Sequence, residues 1–325
     1  MKQIAFILIL LLSKSAFCQT TFVVDNFSNE YFGKLFIADT TEVFSKGWVV
    51  IFDKKTKKQL IKINSDELTF ELHRGKVIAN IKELPYGEQS QILFEDYNFD
   101  GLKDFAIMDG QNSCYHGPSF QIYLATGKGF KQSPEFTELS QNYCGMFDVD
   151  HKTKTIRTMT KSGCCWHQYS EFKVKNSMLY PIKIVEEGMS ASEITWDYEE
   201  QNLVRGKMVK STYQMLALEV DKGNLVLSFK FENKKKMQIF KTENSLYYVF
   251  TDTNNKIELI FNDTFKYSSQ ENTLTFTTRK TEYVISDDSI IAKTPNNTYK
   301  MKAVNDTKFG TLTKLKSLKI ENLIN

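Results

Sequence analysis

Short apolar runs broken by turn residues set the limits on what this chain can fold into. Val49-Val50-Ile51-Phe52, Gln91-Ile92-Leu93-Phe94, Phe120-Gln121-Ile122-Tyr123-Leu124 and Glu171-Phe172-Lys173-Val174 are rich in β-branched or aromatic side chains and end at polar turns. Such runs read as strands, because β-branched side chains pack well on a pleated surface and lose rotamer freedom in a helix. Helical periodicity is scarce, and Ser211 to Leu218 is the best helical candidate. Through residues 45–186 the strands recur every ~10–15 residues, which suits stacked antiparallel sheets.

The texture changes after Glu186-Glu187-Gly188-Met189-Ser190-Ala191-Ser192, a run of small and charged residues that reads as a boundary. Beyond it, runs such as Leu225-Val226-Leu227-Ser228-Phe229-Lys230-Phe231 and Leu246-Tyr247-Tyr248-Val249-Phe250 are longer and alternate more cleanly. Alternation marks sheets with one face on a core. The expected fold is therefore all-β: a small propeller or stacked antiparallel sheets over residues 19–188, then a C-terminal β-sandwich or barrel over 189–325.

Residues 1–18 read as a signal peptide. Lys2 supplies the positive charge, and Ile4 to Leu12 is an apolar run of nine residues, far short of the ~20 needed to span a bilayer. Cleavage after Cys18 leaves a periplasmic or secreted protein with no transmembrane span. A lipoprotein anchored through Cys18 is the alternative, disfavoured by bulky Phe17. The 42 Lys and Arg nearly balance the 39 Asp and Glu, so nucleic acid is not an expected partner. The lysine clusters Lys54-Lys55-Thr56-Lys57-Lys58 and Lys234-Lys235-Lys236 read as solvated hairpin turns, since no aromatic platform or Arg fork flanks them in sequence.

Asp96-Tyr97-Asn98-Phe99-Asp100-Gly101-Leu102-Lys103-Asp104 carries the clearest chemistry. Oxygen donors at alternate positions with a glycine after the third suit a hard cation, because calcium takes six to eight oxygens at about 2.3–2.6 Å. Asp96, Asn98, Asp100, the Leu102 carbonyl and Asp104 are the expected ligands, and Gly101 allows a sharp turn with positive φ. An EF-hand would need Glu at the twelfth position, where Ile107 stands in the apolar run Phe105-Ala106-Ile107-Met108. The loop therefore leads into a buried strand. Asx-rich turns alone are the simpler reading.

Four cysteines remain after cleavage, and an even number in an exported protein argues for disulfides among Cys114, Cys144, Cys164 and Cys165. Met146 to Asp150 and Thr155 to Met159 read as a hairpin turned by His151-Lys152-Thr153-Lys154. That hairpin brings Cys144 near the Gly163-Cys164-Cys165 corner. Two crossed bridges are expected over the strained vicinal pairing, and zinc is disfavoured because Cys-x-x-Cys spacing is missing.

The calcium loop, Ser113-Cys114-Tyr115-His116-Gly117-Pro118-Ser119-Phe120-Gln121-Ile122-Tyr123 and Ser162-Gly163-Cys164-Cys165-Trp166-His167-Gln168-Tyr169 together resemble one group of exported bacterial proteins. That group combines an integrin-like (FG-GAP type) calcium propeller with inhibition of, or immunity to, peptidoglycan hydrolases. The resemblance covers residues 90–185 or so. The C-terminal strands are also similar in texture to small lysozyme inhibitors, but lack their disulfide.

No Gly-x-Ser-x-Gly, His-Glu-x-x-His or P-loop is present. His73 and His151 read as exposed. His116 and His167 sit in the cysteine-bearing loops and lack a third ligand or an activated nucleophile. Glu186-Glu187 and Glu199-Glu200 point to opposite faces of strands and cannot flank one bond. Tyr115, His116, Trp166, His167 and Tyr169 form the candidate partner-binding rim, because aromatic side chains with polar tips are favoured at hot spots. The expectation is an exported, calcium-binding protein that is not an enzyme and that binds and inhibits a lysozyme-like peptidoglycan hydrolase. A calcium-dependent adhesion or glycan-binding module is the alternative.

Overall fold

The structure is a computed structural model that describes residues 20–24, 27–68, 72–73, 76–77, 79, 91–191, 193–217 and 220–324. The signal-peptide reading, Cys18 included, lies outside the described residues. The fold is all-β and built from antiparallel sheets, none of which closes into a barrel. The chain divides into two compact units, residues 1–186 with 201–209, and residues 187–200 with 210–325.

The first unit is a stack. Sheet 1 holds β1 (Thr20–Val24), β2 (Tyr31–Ile37), β3 (Ser45–Asp53), β4 (Gln59–Leu68), β5 (Leu72–His73) and β6 (Lys76–Val77), in the order β4-β3-β2-β1-β6-β5. Sheet 2 is a meander of β7 (Ile92–Glu95), β8 (Asp104–Met108), β9 (Phe120–Thr126) and β10 (Gly129–Gln132). Helix α1 (Pro134–Asn142) follows, then β11 (Asp148–Asp150), β12 (Thr155–Ser162) and β13 (Trp166–Lys175) of sheet 3, whose remaining strands β14 (Met178–Met189), β15 (Thr195–Val204) and β16 (Lys207–Leu216) hold residues of both units.

Sheet 2 is covered on both faces. Phe105 and Ile107 of β8 pack with Leu35, Val49 and Ile51 of sheet 1, whereas Ala106 and Met108 pack with Phe136 of α1 and Ile156 and Phe172 of sheet 3. This explains why every residue of β8 is buried and why its sequence does not alternate. Each large apolar side chain so enclosed contributes about 1.5–3 kcal/mol.

Two local readings change. Ser211 to Leu216 is strand, not helix. Tyr213 stacks on Tyr198 at 5.0 Å, and Ser211 donates to the Glu200 carbonyl at 3.4 Å. Ser and Thr are weak helix formers, so this cross-strand packing decides. Conversely, α1 is a helix where no helix was expected, and Ser133 followed by Pro134 at the first helical position is its start signal. Glu186 to Met189, the start of the run read as a boundary, lies inside β14, and the two units part within that run, between Glu186 and Glu187.

In the second unit, β17 (Leu225–Lys230), β18 (Lys236–Thr242), β19 (Ser245–Thr251) and β20 (Ile257–Phe261) form one sheet. The strands β21 (Phe265–Ser268), β22 (Thr273–Thr278), β23 (Thr281–Ser286), β24 (Ser289–Lys293) and β25 (Thr298–Lys302) form another. The short β26 (Phe309–Gly310) completes the first sheet beside β17, and β27 (Leu323–Ile324) runs parallel to β21. Leu227, Ile239 and Tyr248 from the first sheet share a core with Phe265, Leu274, Phe276 and Ile285 from the second. The C-terminal strands thus make a sandwich and not a barrel.

Candidate functional site

The Asp96–Asp104 segment is the connection between β7 and β8, which pair from Glu95↔Asp104. Its side chains fold back on its own backbone. The carboxylate of Asp96 accepts the amides of Asp100 at 3.2 Å and Gly101 at 2.9 Å, and Asp100 accepts that of Leu102 at 2.8 Å. Asn98 accepts the Asp100 amide at 3.1 Å, and its own Nδ2 donates to Asp100 at 3.0 Å and to Ser177 Oγ at 3.1 Å. Gly101 has φ +91°, as the turn requires, and Phe99 also adopts positive φ, at 60°.

Asp104 is the buried member, with 0% exposure. Its two oxygens accept the amides of Tyr97 at 2.8 Å and Ala125 at 2.7 Å, tying the loop to β9. Burial pushes this carboxyl up to about 7; the amides of Ala125 and Tyr97 act against the rise, and the charges of Asp100 and Asp96 add to it. The donor set is all oxygen, which suits a hard cation. Among the described residues, however, no three His, Cys, Asp or Glu side chains converge to hold a metal ion, and the loop is held by its own hydrogen bonds.

His151 is an exposed turn residue, as expected, and also borders this corner. Its Nε2 lies 3.1 Å from Glu95 Oε1, and its ring meets Phe99 edge-on at 5.7 Å. With Ser177, it shows that three connections meet beside the loop: 96–103, 151–154 and 176–177. Nothing in the local sequence announces this, because the contacts span up to 79 residues.

The cysteines pair differently from the expectation. Cys114 bonds to Cys144, and Cys164 bonds to its neighbour Cys165. The physical reason is placement: Cys144 donates its amide to Met159 at 2.8 Å, beside the middle of β12. Cys164 and Cys165 occupy the tip beyond the last pair of the β12–β13 hairpin, Ser162↔Trp166.

The two cysteine-bearing loops nevertheless meet. The Tyr115 hydroxyl accepts the amide of Gly163 and donates to its carbonyl at 3.4 Å. Lys161 Nζ sits 4.9 Å from the centre of the Tyr115 ring. Tyr115 and His116 both have positive φ, 54° and 56°, a conformation that costs roughly 1–2 kcal/mol per non-glycine residue. The Cys114 bridge and the Tyr115–Gly163 bonds hold it.

The hairpin register divides the expected aromatic rim. His167 pairs with Lys161 and Tyr169 with Met159, so His167 and Tyr169 share one face, their rings 6.4 Å apart. Trp166 and Gln168 take the opposite face. Tyr115 and Tyr169 are 59% and 45% exposed, and His116 is also exposed, whereas Trp166 and His167 are half-buried. On the Gln168 face, a cleft of about 400 Å³ opens between α1 and the hairpin, lined by Glu135, Glu138, Tyr143, Thr160 and Gln168. Glu135 is already engaged there by the Leu179 amide at 3.2 Å. Two disulfides in an all-β chain are compatible with export. Among the described residues, no helix is long and apolar enough to cross a membrane.

No family model and no curated protein matches this chain. Among solved structures it is similar to a type IV secretion system related protein from Xanthomonas, with 16% identity over 60% of this chain and 94% of the other, at TM-score 0.48. Fainter likenesses are to a putative 6-phosphogluconolactonase from Bacteroides uniformis (7% identity, 89% of this chain and 85% of the other, TM-score 0.23) and to TolB from Acinetobacter baumannii (7% identity, 86% and 65%, TM-score 0.21). All three lie below a TM-score of 0.5. What fold and site define is a class: an all-β, disulfide-bearing protein of stacked sheets and a sandwich.

Proposed function

We propose that this chain is an exported binding protein, not an enzyme, whose disulfide-fixed rim docks on and inhibits a peptidoglycan hydrolase of the lysozyme type. One observation carries the reading: Tyr115 is clamped to Gly163, so two loops far apart in sequence form one rim with exposed, pre-positioned aromatic side chains. Rigid Tyr and Trp side chains bind partners at small entropic cost. The hydrolase as partner rests on the motif resemblance. Titration of the full chain with a lysozyme-type hydrolase, read by calorimetry and by cell-wall turbidity, tests it. A complex that inhibits turnover is expected, weakened at least tenfold by Tyr115→Ala with His167→Ala. No complex, or undiminished affinity in a folded double variant, overturns the proposal.

Calcium held by Asp96, Asn98, Asp100, the Leu102 carbonyl and Asp104 is part of the same reading. The buried carboxyl of Asp104 supports it, since a desolvated carboxylate lacking a cationic partner gains most from a bound cation. The role would be structural, steadying the β7–β8 connection that abuts sheet 3.

A further inference from the structure

The lysines of the β3–β4 turn were read as solvated because no aromatic platform flanks them in sequence. The fold supplies one. On the face of sheet 1 turned away from its core, Phe32 pairs with Phe52 and Phe36 with Trp48 across β2 and β3, and both pairs stack, at 5.0 and 5.3 Å. Between them lies the cross-strand row Lys34, Val50, Lys62. Val50, at the centre of this row, is only 3% exposed.

The ammonium groups are positioned by the rings. Lys57 Nζ stands 5.3 Å from the centre of Phe32, Lys34 5.6 Å from Phe52, and Lys62 4.9 Å from Trp48. Lys57, Phe32, Phe52 and Lys34 thus form a cation–ring–ring–cation series. Three lysines that would otherwise sweep freely are each held near one place, which lowers the entropy lost when they bind. None of the three has a carboxylate partner among the described residues. Lys46, at the end of β3, pairs instead with Asp66 at 3.5 Å.

The ligand follows from what this face presents. Phe32, Phe52 and Trp48 each carry a partner ring and a lysine, and Phe36 stacks on Trp48, so this face presents ammonium groups together with ring edges, which carry positive charge. That surface complements anions and, with the faces of Phe32, Phe52 and Trp48 engaged, offers little platform for a run of stacked nucleobases. The rings are half-buried, which leaves less apolar surface than insertion into a lipid boundary uses. The charges are lysines, point charges that accept anions at varied angles, with no Arg fork for one fixed phosphate. We propose that this face of sheet 1 binds an anionic glycan, a polymer carrying a carboxylate or sulfate on its repeating units. The site is separate from the aromatic rim and does not depend on the inhibitor reading.

Retention of the full chain on immobilised polygalacturonate tests this, with neutral dextran, a thymidine oligonucleotide and phosphatidylglycerol vesicles as competitors. The expected result is binding that weakens with salt, falls at least tenfold in the triple variant Lys34→Glu, Lys57→Glu, Lys62→Glu, and is unchanged in a control triple variant at exposed Lys266, Lys300 and Lys302. All six lysines are exposed, and circular dichroism confirms that each variant folds. Failure to bind, an equal loss in the control, or stronger competition by the oligonucleotide or vesicles than by free polygalacturonate each overturns it.

Discussion

Asp104 accepts the amide of Ala125 at 2.7 Å across 21 residues, so the residue that closes the acidic loop also pins β8 to β9. A carboxylate in that position is buried, and its folded pKa of about 7 stands well above the ~3.9 of an unfolded chain. Because the folded state holds this proton more tightly, the stability it contributes is fully present below about pH 4. It is lost as pH rises through 7, and amounts to on the order of 4 kcal/mol at most. Thermal unfolding in chelator should show a melting temperature that declines from pH 5 to pH 8. A flat profile would count against the raised pKa.

Calcium should reverse that decline, because a bound cation favours the ionised carboxylate. At pH 8 the metal is expected to raise the melting temperature by several degrees, and EDTA to remove the gain. Asp100→Ala should lose the calcium response as well as about 1 kcal/mol from the missing Leu102 and Asn98 hydrogen bonds. An identical calcium response in wild type and variant would remove this loop from consideration as the site.

The two disulfides should differ in worth. Cys114–Cys144 closes a loop with a sequence separation of 30, which in the chain-entropy account is worth roughly 3–4 kcal/mol. The Cys164–Cys165 bridge closes no loop and should contribute almost nothing by that route. Urea unfolding of the two paired Cys→Ser variants compares them, and equal losses would contradict the argument.

Gly47 should tolerate no side chain. A Cβ there would collide with the Phe36 carbonyl oxygen and with Leu68, on strands that cannot move apart without breaking sheet 1. Gly47→Ala is expected to cost 2 kcal/mol or more in chemical denaturation. Gly163→Ala meets no neighbour, but its φ of +63° carries a penalty near 1 kcal/mol.

Phe136→Ala would empty a fully buried site where α1 meets sheet 2 and sheet 3. A loss of about 3–5 kcal/mol is expected, measured by the same denaturant titration. A loss under 1 kcal/mol would mean that α1 does not seal that core.

The amino-acid order by itself determined the all-β class, the buried strand Phe105–Met108, the hairpin turned at His151–Lys154, and the tight turn at Gly101. These rest on side-chain shape, alternation and backbone freedom, which act over a few residues. It also held the start signal of α1 at Ser133-Pro134. What only the tertiary structure decided involves partners brought close from far along the chain. The vicinal bridge follows from Cys144 lying beside Met159, the split of Trp166 from His167 and Tyr169 from strand register, and the joining of Tyr115 to Gly163 from a contact spanning 48 residues. The lysine–aromatic face of sheet 1 is of the same kind. Its rings come from β2 and β3 and its charges from β2, β4 and the turn between β3 and β4, so no window of sequence contains it.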